Sequence, residues 1–151
     1  MLDTMLMPLR RYADFKGRSR RKEYWLFTLF VLIVTIVLVG IAFASGFSYR
    51  AMVQGGSAGA GLGVITIIAL SLLGLFYLAI FIPGIAVAVR RFHDRDMSGW
   101  WYLGLIVLGM VPLIGSLAGI AQIVIFCLPG TPGTNRFGAD PKDPSGAEIF
   151  A

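Results

Sequence analysis

His93 and Asp94 are the residues best suited to chemistry, an imidazole that changes charge near neutral pH beside a carboxylate that could orient it. They lie in Arg90-Arg91-Phe92-His93-Asp94-Arg95-Asp96-Met97-Ser98-Gly99-Trp100-Trp101, where Ser98 is a candidate nucleophile. General-base catalysis and metal binding are the two chemistries this stretch could support. Neighbouring helical residues point about 100° apart, so His93 and Asp94 make no direct dyad, and no base is spaced for Ser98. A zinc site needs three or four ligands, and the chain has one histidine and one cysteine, so neither metal nor cofactor is expected. The stretch reads better as a hydrogen-bonded elbow. Arg90 and Asp94 are four apart, Arg91 can reach Asp94 and Arg95, and Ser98 can N-cap the next helix with Asp96 near its start.

The elements around this elbow are greasy. Of 151 residues, 57% are hydrophobic and only 14% charged, with mean hydropathy +0.80, whereas soluble domains carry about 25% charged residues. Charge is absent from 24–49, 51–89 and 97–135, within which apolar cores lie at 24–44, 62–89 and 101–128. Each core exceeds the ~20 residues that a helix needs to cross ~30 Å of hydrocarbon. A single integral membrane domain over 1–151 follows, with a glycine-rich loop at 45–63, a hinge at 90–100 and a tail at 129–151. The net charge of +5 does not point to nucleic acid, because seven of the thirteen basic residues, from Arg10 to Lys22, crowd before the first core. Such clustering sets topology and attracts anionic lipid. Cys127 sits within the third apolar run, as a small buried hydrophobe.

Leu2, Met5, Leu6, Leu9, Tyr12 and Ala13 recur at helical spacing, which predicts a short interfacial amphipathic helix interrupted at Gly17. Ser19 is placed to cap the next helix. Ala42-Phe43-Ala44 before Ser45 imitates a signal-peptidase site, but the preceding apolar run is longer than the 7–15 residues of a signal peptide, so a retained span is expected. The second core is long enough to require a tilt, a kink near Pro83-Gly84 or projection beyond the bilayer. Gly104, Gly109, Pro112 and Gly115 interrupt the third, which is one broken helix or a re-entrant hairpin. Gly115 and Gly119 could admit a neighbouring helix. Lysine and arginine counts place the N-terminus and hinge in the cytoplasm, with Trp25, Trp100 and Trp101 as interface anchors. Three simple spans would put the tail outside, whereas a re-entrant third segment returns it to the hinge's side.

Three motifs occur in order: Gly17-Arg18-Ser19-Arg20-Arg21-Lys22-Glu23-Tyr24-Trp25, the hinge, and Gly130-Thr131-Pro132-Gly133-Thr134-Asn135-Arg136-Phe137-Gly138-Ala139-Asp140-Pro141. Together they resemble the bacterial inner-membrane family called domain of unknown function 805, the YhaH-like proteins, over about residues 10 to 142. The resemblance implies an integral inner-membrane protein without an established activity. The residues themselves suggest a non-enzymatic all-α membrane protein that binds anionic lipid head groups or a membrane protein partner. Arg18, Arg20, Arg21, Lys22, Arg90, Arg91, Arg95 and Arg136 are the expected contacts. A lipid-modifying enzyme using His93 and Asp94 is the alternative, as is a homo-oligomeric channel or small-solute carrier. The spans contain no Asp, Glu, Lys, Arg or His to serve an ion-coupled carrier. In the tail, Arg136 can hold an anion or pair with Asp94 or Asp96, with Phe137 at the interface.

Overall fold

The structure, a computed structural model, describes residues 2–45 and 59–142. Most of the expected glycine-rich loop, including Arg50, lies outside the described residues. The elements are all helical: α1 (Leu2–Arg10), α2 (Arg21–Ala44), α3 (Gly59–His93), α4 (Trp100–Gly109) and α5 (Ile114–Cys127). Two compact units are present, Met1–Phe27 with Ile82–Ala151, and Thr28–Phe81.

Within Thr28–Phe81, α2 and α3 present apolar side chains outward, with Ile36 61% and Leu78 72% exposed. Such exposure is unfavourable in water and natural in hydrocarbon. Thr35 Oγ1 and Tyr77 Oη lie 3.0 Å apart, as do Ser45 Oγ and Thr66 Oγ1, so these hydroxyls meet one another. At 24 residues, α2 is about 36 Å long. Both α2 and residues 63–93 of α3 are long and apolar enough to cross a membrane.

Several expected boundaries shift. The amphipathic helix α1 stops at Arg10 instead of reaching Ala13; beyond it, Arg11 pairs with Asp14 at 2.5 Å, and Asp14 Oδ1 accepts the Lys16 amide at 3.0 Å. The Arg11 hydrogen bond holds the Asp14 carboxyl below the usual carboxylate range. Helix α3 passes through Pro83 without interruption and carries Arg90 and Arg91 as helical residues, so the hinge begins after His93. Ser19 does not cap α2: its hydroxyl is buried without a hydrogen-bond partner, while its amide donates to Arg90 O at 3.2 Å.

The end of α3 is a Schellman turn. Met97 N donates to Phe92 O and Asp96 N to His93 O, both at 3.0 Å. Asp96 takes the left-handed position, φ 56°, that glycine usually fills, and Met97 packs back toward Phe92. The N-cap of α4 is Gly99, one residue beyond the expected Ser98; Ser98 Oγ accepts the Trp100 amide at 3.4 Å.

The third apolar run is a hairpin. Helices α4 and α5 pack against each other through a turn in which Ile114 N donates to Pro112 O and Gly115 N to Val111 O, both at 2.8 Å. Leu113 holds φ 68° there. Ten and fourteen residues give helices of about 15 and 21 Å, each shorter than ~30 Å of hydrocarbon. Gly115 serves this turn instead of an external helix, since a Cβ on it would overlap the Gly109 carbonyl oxygen, whereas Gly119 faces open space. Gly115→Ala is expected to cost about 1–3 kcal/mol by overpacking, and Gly119→Ala nothing. Equal unfolding midpoints for the two variants would overturn this account of the turn.

Candidate functional site

The sequence-predicted basic residues divide into buried and exposed sets. Arg18, Arg90 and Arg91 are buried, at 6%, 0% and 0% exposure, together with Glu23 and Asp94. Arg18 bonds Asp94 Oδ1 through Nε at 3.0 Å, and Arg91 holds Asp94 Oδ2. Arg90 does not pair with Asp94 as its spacing suggested. It reaches Glu23 Oε1 at 3.1 Å and the Asp14 carbonyl at 2.9 Å, because Asp94 is already held from two sides.

Three buried guanidiniums therefore face two buried carboxylates. Burying an ion costs several kcal/mol unless it is paired and hydrogen-bonded. The surplus positive charge meets main-chain carbonyls in and beyond the C-terminal turn of α5, where a helix leaves acceptors without donors and carries partial negative charge. Arg91 donates to Phe126 O at 3.3 Å and to Leu128 O. Arg21 donates to Cys127 O at 3.1 Å, Arg95 to Pro129 O at 2.7 Å, and Arg18 to Thr131 O and Gly133 O at 2.5 and 2.6 Å. Hydrogen bonds to charged groups each contribute about 1.5–3 kcal/mol. Four arginines thus fasten the segment 126–133 to the hinge.

The tail completes the arrangement. Thr131 N donates to Asp94 O at 2.8 Å, and Asn135 Nδ2 to His93 O at 2.9 Å. Asn135 Oδ1 accepts the Phe137 amide, and Asn135 and Gly138 close a two-residue turn through reciprocal backbone bonds. Phe137 stacks on the His93 ring at 3.9 Å, nearly parallel, with the Arg136 guanidinium 4.9 Å from the Phe137 centroid. Arg136 pairs with Asp96 at 3.2 Å. Of the partners considered for Arg136, Asp96 is the one used, and the tail lies on the hinge's side.

His93 and Asp94 do not act on each other. His93 Nδ1 meets Gly17 O at 3.2 Å, while both carboxylate oxygens of Asp94 are taken by Arg18 and Arg91. A dyad is absent because the two side chains leave the helix in different directions. Behind the cluster, Phe92 and Phe126 pack edge to face at 5.2 Å and Tyr24 meets Phe126 at 4.3 Å. Those aromatic contacts position Arg91 beside the carbonyls.

The expectation that all eight basic residues contact lipid or a partner protein does not fit Arg18, Arg90 and Arg91, whose side chains are enclosed. Arg20, Arg21, Lys22 and Arg136 are exposed, and Arg95 is half-buried. Trp25, Trp100 and Trp101 are 38%, 77% and 60% exposed. Sequence reasoning missed Glu23, Gly130 and the acceptor carbonyls. A glutamate at 23 among cations was a legible signal; backbone carbonyls carry none.

Two long apolar helices, a short helical hairpin and a buried arginine cluster define an all-α membrane protein. The chain belongs to the family described as Protein of unknown function (DUF805), whose model matches residues 12–139. It is 40% identical over 142 residues to Inner membrane protein YhaH of Escherichia coli K12, covering 93% of this chain and 98% of the relative. To Inner membrane protein YhaI of the same strain it is 41% identical over 139 residues, covering 91% and 93%. No solved structure matches it. The protein is a bacterial inner-membrane protein.

Proposed function

We propose that the protein is one non-enzymatic, multi-pass membrane domain that binds anionic lipid head groups at a cytoplasmic face. The N-terminus, hinge and tail share that face. Arg20, Arg21 and Lys22 form the main contact, with Arg95 and Arg136 beside it, and Trp25, Trp100 and Trp101 set the depth. One observation supports the reading above others: Arg20, Arg21 and Lys22 are consecutive and exposed, and among the described residues no carboxylate pairs with them. The buried arginines already have acceptors and Arg21 spends one N–H on Cys127 O, so Arg20, Lys22 and the remaining N–H groups of Arg21 are the donors left to take phosphate. Cations in a first helical turn oppose the helix dipole, which phosphate would relieve.

The test compares the wild type with the triple variant Arg20→Gln, Arg21→Gln, Lys22→Gln, reading phosphatidylglycerol bound to detergent-purified protein by native mass spectrometry. At about 1 kcal/mol per cation, the variant should lose about 3 kcal/mol, roughly a hundredfold in affinity, and the wild type should lose affinity as salt rises. Labelling Thr134→Cys in a Cys127→Ser background checks that the variant keeps its topology. Equal phosphatidylglycerol retention by correctly inserted variant and wild type would sink the reading.

A further inference from the structure

A groove of about 460 Å³ lies between α3 and α4, walled by Ile85, Val89, Leu103 and Ile106. Ile85, Val89 and His93 follow one another at four-residue spacing, so they form one stripe about 12 Å long on α3. The walls are apolar, with Phe15, Trp100 and Tyr102 adding aromatic surface to the aliphatic side chains, and His93 and Ser98 lie at the hinge end. Gly99 is needed there: a Cβ would stand 2.6 Å from Val89 Cγ1 and 3.4 Å from His93 Nε2. This places Nε2 against Gly99, where both residues line the groove.

The imidazole is held from two directions. Nδ1 lies 3.2 Å from Gly17 O, which can only accept, so Nδ1 carries the proton and Nε2 of the neutral ring is an acceptor. Phe137 covers one ring face. Among the described residues nothing bonds Nε2, and the Ser98 hydroxyl, which lines the same groove and accepts from Trp100 N, can still donate. A fixed acceptor and a hydroxyl at one end of an apolar channel, in a protein of the inner membrane, match an amphiphile with a hydroxyl where its chain begins.

We propose that this groove binds a lysophospholipid. Its single acyl chain lies along Ile85, Val89, Leu103 and Ile106; its free glycerol hydroxyl donates to His93 Nε2 and accepts from Ser98. Diacyl phosphatidylcholine has no O–H or N–H group and leaves Nε2 without a donor, whereas lysophosphatidylcholine keeps the glycerol hydroxyl. Head-group charge plays no part, so the site is independent of the basic rim.

Native mass spectrometry of the full chain in detergent tests this with lysophosphatidylglycerol, lysophosphatidylcholine and diacyl phosphatidylcholine at high salt. One lysolipid of either head group should bind per chain, about tenfold tighter than the diacyl lipid. His93→Phe keeps a ring to stack on Phe137 and should weaken lysolipid binding about tenfold. Leu103→Phe fills the groove from a half-exposed position and should weaken it at least as much, with the unfolding midpoint unchanged. Absence of lysolipid binding, equal binding of the diacyl lipid, or unchanged binding in folded Leu103→Phe would overturn the proposal. So would loss of lysolipid binding in the Arg20, Arg21, Lys22 triple variant, which is expected to retain it.

Discussion

Asp94→Asn is expected to lower stability by about 3–5 kcal/mol, the cost of removing one partner from a buried ion pair and leaving the other charged. Asp94 is 3% exposed and is the only carboxylate that Arg18 and Arg91 touch among the described residues. Both guanidiniums are buried. Against a typical total of about 5–15 kcal/mol, the loss is a large fraction. It should appear as a fall of order 10 °C in the unfolding midpoint of the purified protein. Adding Arg18→Gln to Asp94→Asn should cost less than the two single changes together, because it removes one of the unpaired charges. Additive costs, or an unchanged midpoint for Asp94→Asn, would show that the cluster is not the tie described above.

Gly130→Ala should release the tail. A Cβ at Gly130 would run into the Asp94 carboxylate, and Asp94 cannot step aside without opening its contacts to Arg18 and Arg91. Overpacking of this kind costs about 1–3 kcal/mol. Displacing the segment also breaks the Thr131 amide bond to Asp94 O. Faster labelling of Thr134→Cys in the Gly130→Ala protein than in its Gly130 parent, both with Cys127→Ser, is the expected result. Gly133→Ala is a useful contrast: its Cβ meets nothing, but φ 73° is unfavourable for alanine by about 1–2 kcal/mol. It should destabilise its own turn without opening the ion pairs. Identical labelling rates in Gly130→Ala and its parent would contradict the close approach.

The polar cluster was only partly legible in the sequence. The spacing of Arg91 and Asp94 on one helix face anticipated their pairing. The same rule failed for Arg90, which is better served by Glu23, sixty-seven positions away. Arg18 and Asp94 are seventy-six positions apart, and periodicity carries no information at that distance. Basic residues before an apolar run suit a lipid surface and a helix C-terminus equally, since both present negative charge. Only burial separates the two uses, assigning Arg18, Arg90 and Arg91 to the interior and leaving Arg20 and Lys22 outside.

Composition alone determined that the chain is an all-helical membrane protein, because runs without charge and longer than twenty residues have few other places to go. Pro112 between glycines at 109 and 115 also announced a break in the third run. Tertiary structure decided what that break does. It folds 100–127 into a hairpin, returns the tail to the hinge, and turns His93 away from Asp94 toward Gly17 and Phe137. The physical reason is the nature of the acceptors. Main-chain carbonyls at 126–133 exist in every sequence, and only the path of the chain brings four arginines to them.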